Sequence, residues 1–198
     1  MKAIGALAAG LVLAGLGFFG CAYSYRNQMI DLDEQAKAKW ADIETNLQRR
    51  LDLVPNLVNT VEGAGKYEGE TLIKVTEKRN HLLAVAKELK ETPRDPSQAE
   101  KLDRLNSELF ATMRAFTGIA TEAYPQLRAT EAYRDLMAQL EGTENRIAIT
   151  RKDYNASAAA YNAKVRKWGW LPFCGGFKAD KAVFQAAPEA QKAPEVKF

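Results

Sequence analysis

From Leu32 onward the apolar residues recur at steps of three and four. Leu32, Ala36, Trp40, Ile43, Leu47, Leu51, Val54, Val58 and Val61 trace one stripe along a helix. Asp, Glu, Lys, Arg, Asn and Gln fill the positions between, as a solvated face requires. Pro55 lies inside this pattern. Proline removes a backbone donor and crowds the carbonyl four residues earlier, so a kink or short break is expected at residues 51–54. Gly63 and Gly65 then end the helix.

A second helix is predicted over residues 67–91, with Leu72, Ile73, Val75, Leu82, Leu83, Val85, Ala86 and Leu89 on its buried side. The stretch ETPRDPSQAE breaks it, and Ser97 followed by Glu100 reads as a capping box for a third helix. That helix carries Leu102, Leu105, Leu109, Phe110, Met113, Phe116 and Ile119. It ends near Tyr124, because Pro125 disfavours helix in the residue before it. The fourth stripe is the longest: Tyr133, Leu136, Leu140, Thr143, Ile147, Thr150, Tyr154, Ala158, Tyr161, Val165 and Trp168. At ~1.5 Å per residue it covers roughly 60 Å. A helix of that length needs partners along its whole course. The expected fold is therefore all-α, an N-terminal apolar helix followed by an elongated antiparallel four-helix bundle over residues 26–168 with coiled-coil-like helices. No segment alternates with period two over enough residues to predict a sheet. Intramolecular packing accounts for most of the stripes, and the rest are available as seams between copies.

Ahead of the bundle, residues 3–23 read AIGALAAGLVLAGLGFFGCAY, with no charge among them and Lys2 before them. As a helix the segment is ~30 Å long, enough to cross a hydrocarbon core. Three fates compete. An uncleaved transmembrane anchor comes first. A lipoprotein signal comes second, with cleavage before Cys21 and lipid on its sulfur; Gly20 fits that reading, but Phe18 stands where Leu is usual. Ordinary signal cleavage ranks last, for want of a clean small-x-small site. Ala6, Gly10 and Ala14 have the spacing that lets two helices approach closely in lipid, although Gly and Ala are also simply common in such segments. Basic residues on the two sides nearly balance, so the export-like segment itself is the main reason to place residues 26–168 outside the cytoplasm.

After Trp168 the pattern stops. WGWLPFCGGF is aromatic and Gly-rich, and Trp168, Trp170, Phe173 and Phe177 have basic neighbours, which suits a bilayer interface. A cap on the bundle and a contact to another subunit fit equally well. Residues 169–198 end in a Pro/Ala-rich stretch expected to be extended, and mobile unless docked.

Composition narrows the chemistry. The 198 residues are 46% hydrophobic and 27% charged, which excludes global disorder. A net charge of +3 and the lack of a basic run argue against nucleic acid. One His, His81, and two distant Cys, Cys21 and Cys174, match no metal spacing. His81 has no carboxylate and nucleophile that the sequence names as partners, so it reads as an ordinary helix residue. No glycine-rich phosphate loop is present. No cofactor, metal site or catalytic residue is expected.

One cluster resists this account. LQRRLDLVPNLV, residues 47–58, packs Gln48, Arg49, Arg50, Asp52 and Asn56 around Pro55. Two readings stand: a recognition or assembly surface, and a local network in which Arg and Asp tie a kinked turn together. Together with TEN-RIA and DYN---YN in the fourth helix, this block resembles the LemA family. The resemblance runs over residues 40–70, 122–162 and the closing PEVKF. Departures are Leu51 where Ala is common, Gly65–Lys66–Tyr67 where Tyr-Ala-x-His is common, and Trp168–Gly169–Trp170 where Phe-Pro is common. The resemblance implies a bacterial protein with an N-terminal anchor or lipoprotein signal and a helical bundle, with suggested links to envelope stress and proteolysis. It implies no activity. Carried onto this chain, its motif positions are Gln48, Arg49, Arg50, Asp52, Pro55 and Asn56, then Glu144, Arg146, Tyr154, Asn155, Tyr161 and Asn162. The expectation is a non-enzymatic, membrane-anchored scaffold of the bacterial envelope that forms homo-oligomers. Its partners would be membrane lipid, further copies and, as the alternative, a membrane protease or stress sensor.

Overall fold

The computed structural model describes residues 2–63, 69–168, 177–178 and 180–184, and describes side chains for residues 10–63, 73–167 and the same tail positions. Among the described residues the chain forms four α-helices and no strand: α1 (Lys2–Glu62), α2 (Gly69–Glu91), α3 (Ala99–Ala123) and α4 (Glu131–Trp168). Short 3-10 turns at Pro96–Gln98 and Pro125–Ala129 lead into α3 and α4.

The helices are very unequal. The 61 residues of α1 and 38 of α4 correspond to roughly 90 and 57 Å, against about 35 Å for α2 and α3. Cross-contacts fix the directions. Tyr25 meets Lys164, Trp40 meets Tyr154 and Arg50 meets Glu144, so α1 and α4 run antiparallel. His81 faces Glu108 and Glu88 faces Lys101, which makes α2 and α3 an antiparallel hairpin. The hairpin covers the part of the α1–α4 pair between Trp40 and Val61, and Ile43, Leu47, Leu57, Leu82, Leu89, Leu102, Leu109, Met113 and Phe116 close the core there.

Beyond Trp40 the hairpin ends. Trp40 Nε1 donates to the carbonyl of Arg94 (3.0 Å), in the link between α2 and α3. Past this level α1 and α4 continue as a pair, with a second small core of Tyr25, Met29, Tyr161 and Val165. Still further out, α1 carries a run of exposed apolar residues. Leu11, Val12, Leu13, Leu16, Phe18, Phe19 and Tyr23 are exposed, each by more than half its surface.

Three local expectations need correction. Pro55 does not break α1, which is helical through it. Pro55 sits on the exposed side, while Leu51, Val54 and Leu57 are buried on the other and hold the helix together across it. The capping box at Ser97 and Glu100 is replaced by a different device. Asp95 Oδ1 accepts the Ser97 N–H at 2.6 Å, opening the 3-10 turn, and the Ser97 side chain, with this backbone bond second, holds the Asp95 carboxyl below its ordinary value. Ile73 and Leu83 of α2 are exposed rather than buried, because α2 packs through Val75, Leu82, Val85 and Leu89, with Ala86 partly buried beside them, and the side chain of Leu72 lies outside the described residues. At the other end of the first helix Gly63 acts as expected, its N–H closing on the Asn59 carbonyl at 2.9 Å.

No helix among the described residues carries a stretch long and apolar enough to cross a membrane. Of the apolar segment 3–23, only residues 10–23 have described side chains. That portion measures about 21 Å.

Candidate functional site

Arg50 stands one position before Leu51 and three after Leu47, so the α1 stripe carries it into the bundle. Its side chain is fully buried. A guanidinium carries five donors and no acceptor, so burial demands acceptors on several sides. Asn106 of α3 supplies its Oδ1 at 2.7 Å and its carbonyl at 3.4 Å, and Glu144 of α4 supplies a carboxylate oxygen. The Phe110 ring lies 4.9 Å from the guanidinium carbon. Nε of Arg50 has no hydrogen-bond partner among the described residues. Burial pulls the Arg50 pKa below its ordinary value, and Glu144 opposes that shift. One turn up the bundle, Arg151 holds Asp103 through two contacts of 2.6 and 2.9 Å. Burial raises the Asp103 carboxyl, with Arg151 opposing and Glu144 adding to the rise. Arg50, Asn106, Glu144, Asp103 and Arg151 thus form a polar layer joining three helices.

The other residues of the first motif face outward. Gln48 Nε2 donates to Asp52 at 2.7 Å, and its Oε1 accepts from Arg94 at 2.9 Å. Arg and Asp therefore do not tie a kinked turn: Arg50 reaches across the bundle, and Asp52 takes an amide from its own helix. Arg49, Asp52 and Asn56 line a groove of about 600 Å³ between α1 and α4, which Arg146 and Gly142 close from the α4 side. Neither arginine has an ion-pair partner among the described residues.

The second motif builds a different device. The tail returns along the α1–α4 pair, antiparallel to α4, and two asparagines clamp it. Asn162 Nδ2 donates to the Lys181 carbonyl (2.8 Å), and its Oδ1 accepts the Lys181 N–H (3.2 Å). Asn155 does the same for Phe184, both bonds being 2.8 Å. An amide side chain offers one donor and one acceptor edge, which matches the N–H and C=O of one extended residue. Seven helical residues rise about 10.5 Å and three extended residues about 10 Å, so the two spacings agree.

Side chains complete the docking. Phe184 is buried and stacks on Trp40 (5.8 Å, 14°), with Tyr154 at its edge and the Arg151 guanidinium 5.0 Å away. Lys181 pairs with Asp33 of α1 at 2.7 Å and lies 4.6 Å from the Tyr161 ring. Burial raises the Asp33 carboxyl, but Lys181 and Lys37 more than offset it, and the net shift is downward. Burial raises Tyr161, with Asp33 and Asp180 adding to it. The Tyr154 hydroxyl, buried without a hydrogen-bond partner, is pushed up to about 12 by desolvation. Phe177 packs against the Tyr25–Val165 cluster. The strap therefore covers the stretch of the α1–α4 pair that the α2–α3 hairpin leaves open.

Of the remaining expected positions, Gly10, Ala14 and Cys21 lie on the exposed arm. The side chains of Ala6 and Trp168, and all of Trp170, Phe173 and Cys174, lie outside the described residues. His81 is exposed, 3.8 Å from Glu108. Among the described residues no group of His, Cys, Asp and Glu is placed to hold a metal ion. Sequence reasoning missed Asn106, Asp103, Arg151 and the strap residues Lys181 and Phe184. A seven-residue spacing of Asn beside the α4 stripe was the one signal of the clamp.

These features define an all-helical bundle protein with an exposed apolar helical arm and a tail strapped to its long helix pair. The chain belongs to the LemA family, whose model matches residues 39–198. It is similar to the magnetosome protein MamQ 2 of Paramagnetospirillum magneticum, at 27% identity over 193 residues, covering 89% of this chain and 71% of that protein. The magnetosome protein MamQ of Magnetospirillum gryphiswaldense is 28% identical over 183 residues, covering 84% and 67%. The protein LemA of Metamycoplasma hominis is 24% identical over 176 residues, covering 87% and 74%. None of these names is that of an enzyme.

Proposed function

We propose that this is a membrane-anchored structural protein of the bacterial envelope, without catalytic activity, that self-associates through its helical region. One observation carries the reading: α1 is a single helix whose apolar residues 10–21 are exposed and whose later part is built into the bundle. Exposed apolar surface of that extent is costly in water and favourable in lipid. The magnetosome relatives, whose name refers to a cellular structure and not to a reaction, support a structural role. The anchor runs over residues 3–23, with Ala6, Gly10 and Ala14 facing a second anchor, and the bundle lies on the extracytoplasmic side. A lipoprotein form, cut before Cys21, meets the same membrane through acyl chains.

Membrane fractionation with an alkaline wash tests the anchor. The intact chain is expected in the membrane pellet and a chain lacking residues 2–22 in the supernatant; recovery of both in the supernatant overturns it. Intact mass separates the two anchors, since the lipoprotein lacks residues 1–20 and gains acyl mass. Size measurement in detergent tests self-association, and a monomer at every concentration rejects it.

The outward groove favours a second reading, an adaptor that presents Arg49, Asn56 and Arg146 to a membrane protease or stress sensor. Crosslinking in native membranes distinguishes them: a dominant self-product supports the scaffold, a distinct heterologous band the adaptor.

A further inference from the structure

The strap is bound the way a peptide is bound. Its backbone is read by Asn155 and Asn162, and three side chains enter defined places: Phe177 by Tyr25 and Tyr161, Lys181 at Asp33, Phe184 on Trp40. Main-chain hydrogen bonds supply grip and side-chain pockets supply selection, the division of labour seen wherever an extended segment docks on a folded surface. Among the described residues no regular hydrogen-bond ladder ties the strap to the bundle. These clamps and pockets, Ala182 against the main core and Arg151 over the Phe184 ring hold it, and none of these contacts is part of the backbone bonding of α1 or α4.

We propose that this face of the α1–α4 pair is a peptide-recognition groove for an extended Lys-x-x-Phe segment, and that residues 177–184 of a second copy occupy it in exchange for the resident strap. The occupant follows from the contacts. A segment matching all three pockets and both clamps is present on every copy, and an identical segment makes identical contacts in trans. The exposed apolar arm supplies the encounter, since chains gathered on one membrane meet at high effective concentration. The inference rests on the self-association reading above and names its mechanism.

Two full-length variants in detergent test it. In Lys181→Ala/Phe184→Ala the groove is intact and the strap disabled. In Asn155→Ala/Asn162→Ala the strap is intact and the clamps are gone. A fluorescent peptide of residues 177–184 is expected to bind the first variant at least about tenfold more tightly than the wild type, whose own strap competes. The second variant is expected not to bind it. Mixing the two variants is expected to give mixed assemblies by energy transfer, in which the second variant donates its strap to the first. Circular dichroism checks that each is folded, and Lys181→Ala alone replaces the first variant if the double change unfolds it. A folded open-groove variant that binds the peptide no better than a scrambled one overturns the groove. Wild-type-like self-association in Asn155→Ala/Asn162→Ala overturns the exchange while leaving self-association in place. A wild type that stays monomeric overturns both.

Discussion

The two motif blocks of this chain place polar groups in contrasting settings. The layer around Arg50 puts a full charge at the centre of the bundle, tied to two other helices. The clamp around Asn155 and Asn162 uses neutral amides, one half-buried and one buried, to hold a segment that belongs to no helix. A buried charge is a poor source of stability but punishes any mispairing severely. A neutral amide contributes about 1 kcal/mol per hydrogen bond, so its loss costs far less than an unpaired buried charge. The first block therefore specifies which faces of α1, α3 and α4 meet. The second ties an extended segment to the pair of helices it lies against.

The difference predicts an unusual asymmetry within the Arg50 layer. Glu144→Ala leaves a buried guanidinium without its carboxylate and is expected to cost about 3 kcal/mol, the lower end for a broken buried pair, because Glu144 is itself half-exposed. Arg50→Met removes the charge and fills the space but leaves the buried Asn106 amide short of a partner, and should cost less, about 2 kcal/mol. Thermal or denaturant melts of the two variants check this; a greater loss for Arg50→Met would break the distinction.

Next in size is Phe184→Ala. Removing a packed aromatic from a core costs ~3 kcal/mol or more. Here the strap can detach instead, so the bundle loses no more than the docking free energy. The expectation is a melting point within a few degrees of the wild type, with lost hydrogen-exchange protection at the Lys181 and Phe184 amides. Smaller again are Asn155→Ala and Asn162→Ala. Each removes two hydrogen bonds, about 1–2 kcal/mol of strap docking, with faster exchange at its own strap residue before the other.

The smallest effect is that of pH. The Asp33 carboxyl is lower in the folded chain than its ordinary value of 3.8. Its contribution to docking is therefore fully present above that value and lost as pH falls through the folded value. Strap amides should lose protection in that acid range, ahead of amides in α3. Asp33→Asn should weaken docking at neutral pH and remove this dependence.

The core was largely legible in the sequence because helical periodicity reports directly on burial. Trp40, Ile43, Leu47, Leu51, Val54 and Val61 are buried as the stripe predicted, and so are Leu136, Leu140, Ile147, Tyr154, Ala158 and Val165. The motif residues were legible as unusual, not as to role. Arg50 and Arg49 are adjacent letters with opposite fates, separated by a 100° turn that puts one in the core and one at the groove. Asn155 and Asn162 border the stripe like any polar flank. Their partner is a backbone, which leaves no signature in side-chain pattern. Phe184 lies in a tail without periodicity, so nothing in the stripe pointed to Trp40 as its seat. Pro55 misled for the same reason: its local penalty was readable, while the packing that carries α1 through it was not.

The unbroken course of α1 has a mechanical consequence. With no joint among residues 10–62, the arm and the bundle turn as one shaft. The 26 residues from Tyr23 to Arg49 set the groove about 39 Å above the last exposed aromatic of the arm. Each residue inserted just after Tyr23, ahead of the stretch that packs on α4, would lift the groove by ~1.5 Å and swing it by about 100°. Length in this helix is therefore both a ruler and a protractor: adding two residues should turn the groove and strap away from neighbouring copies, whereas adding seven should nearly restore their heading.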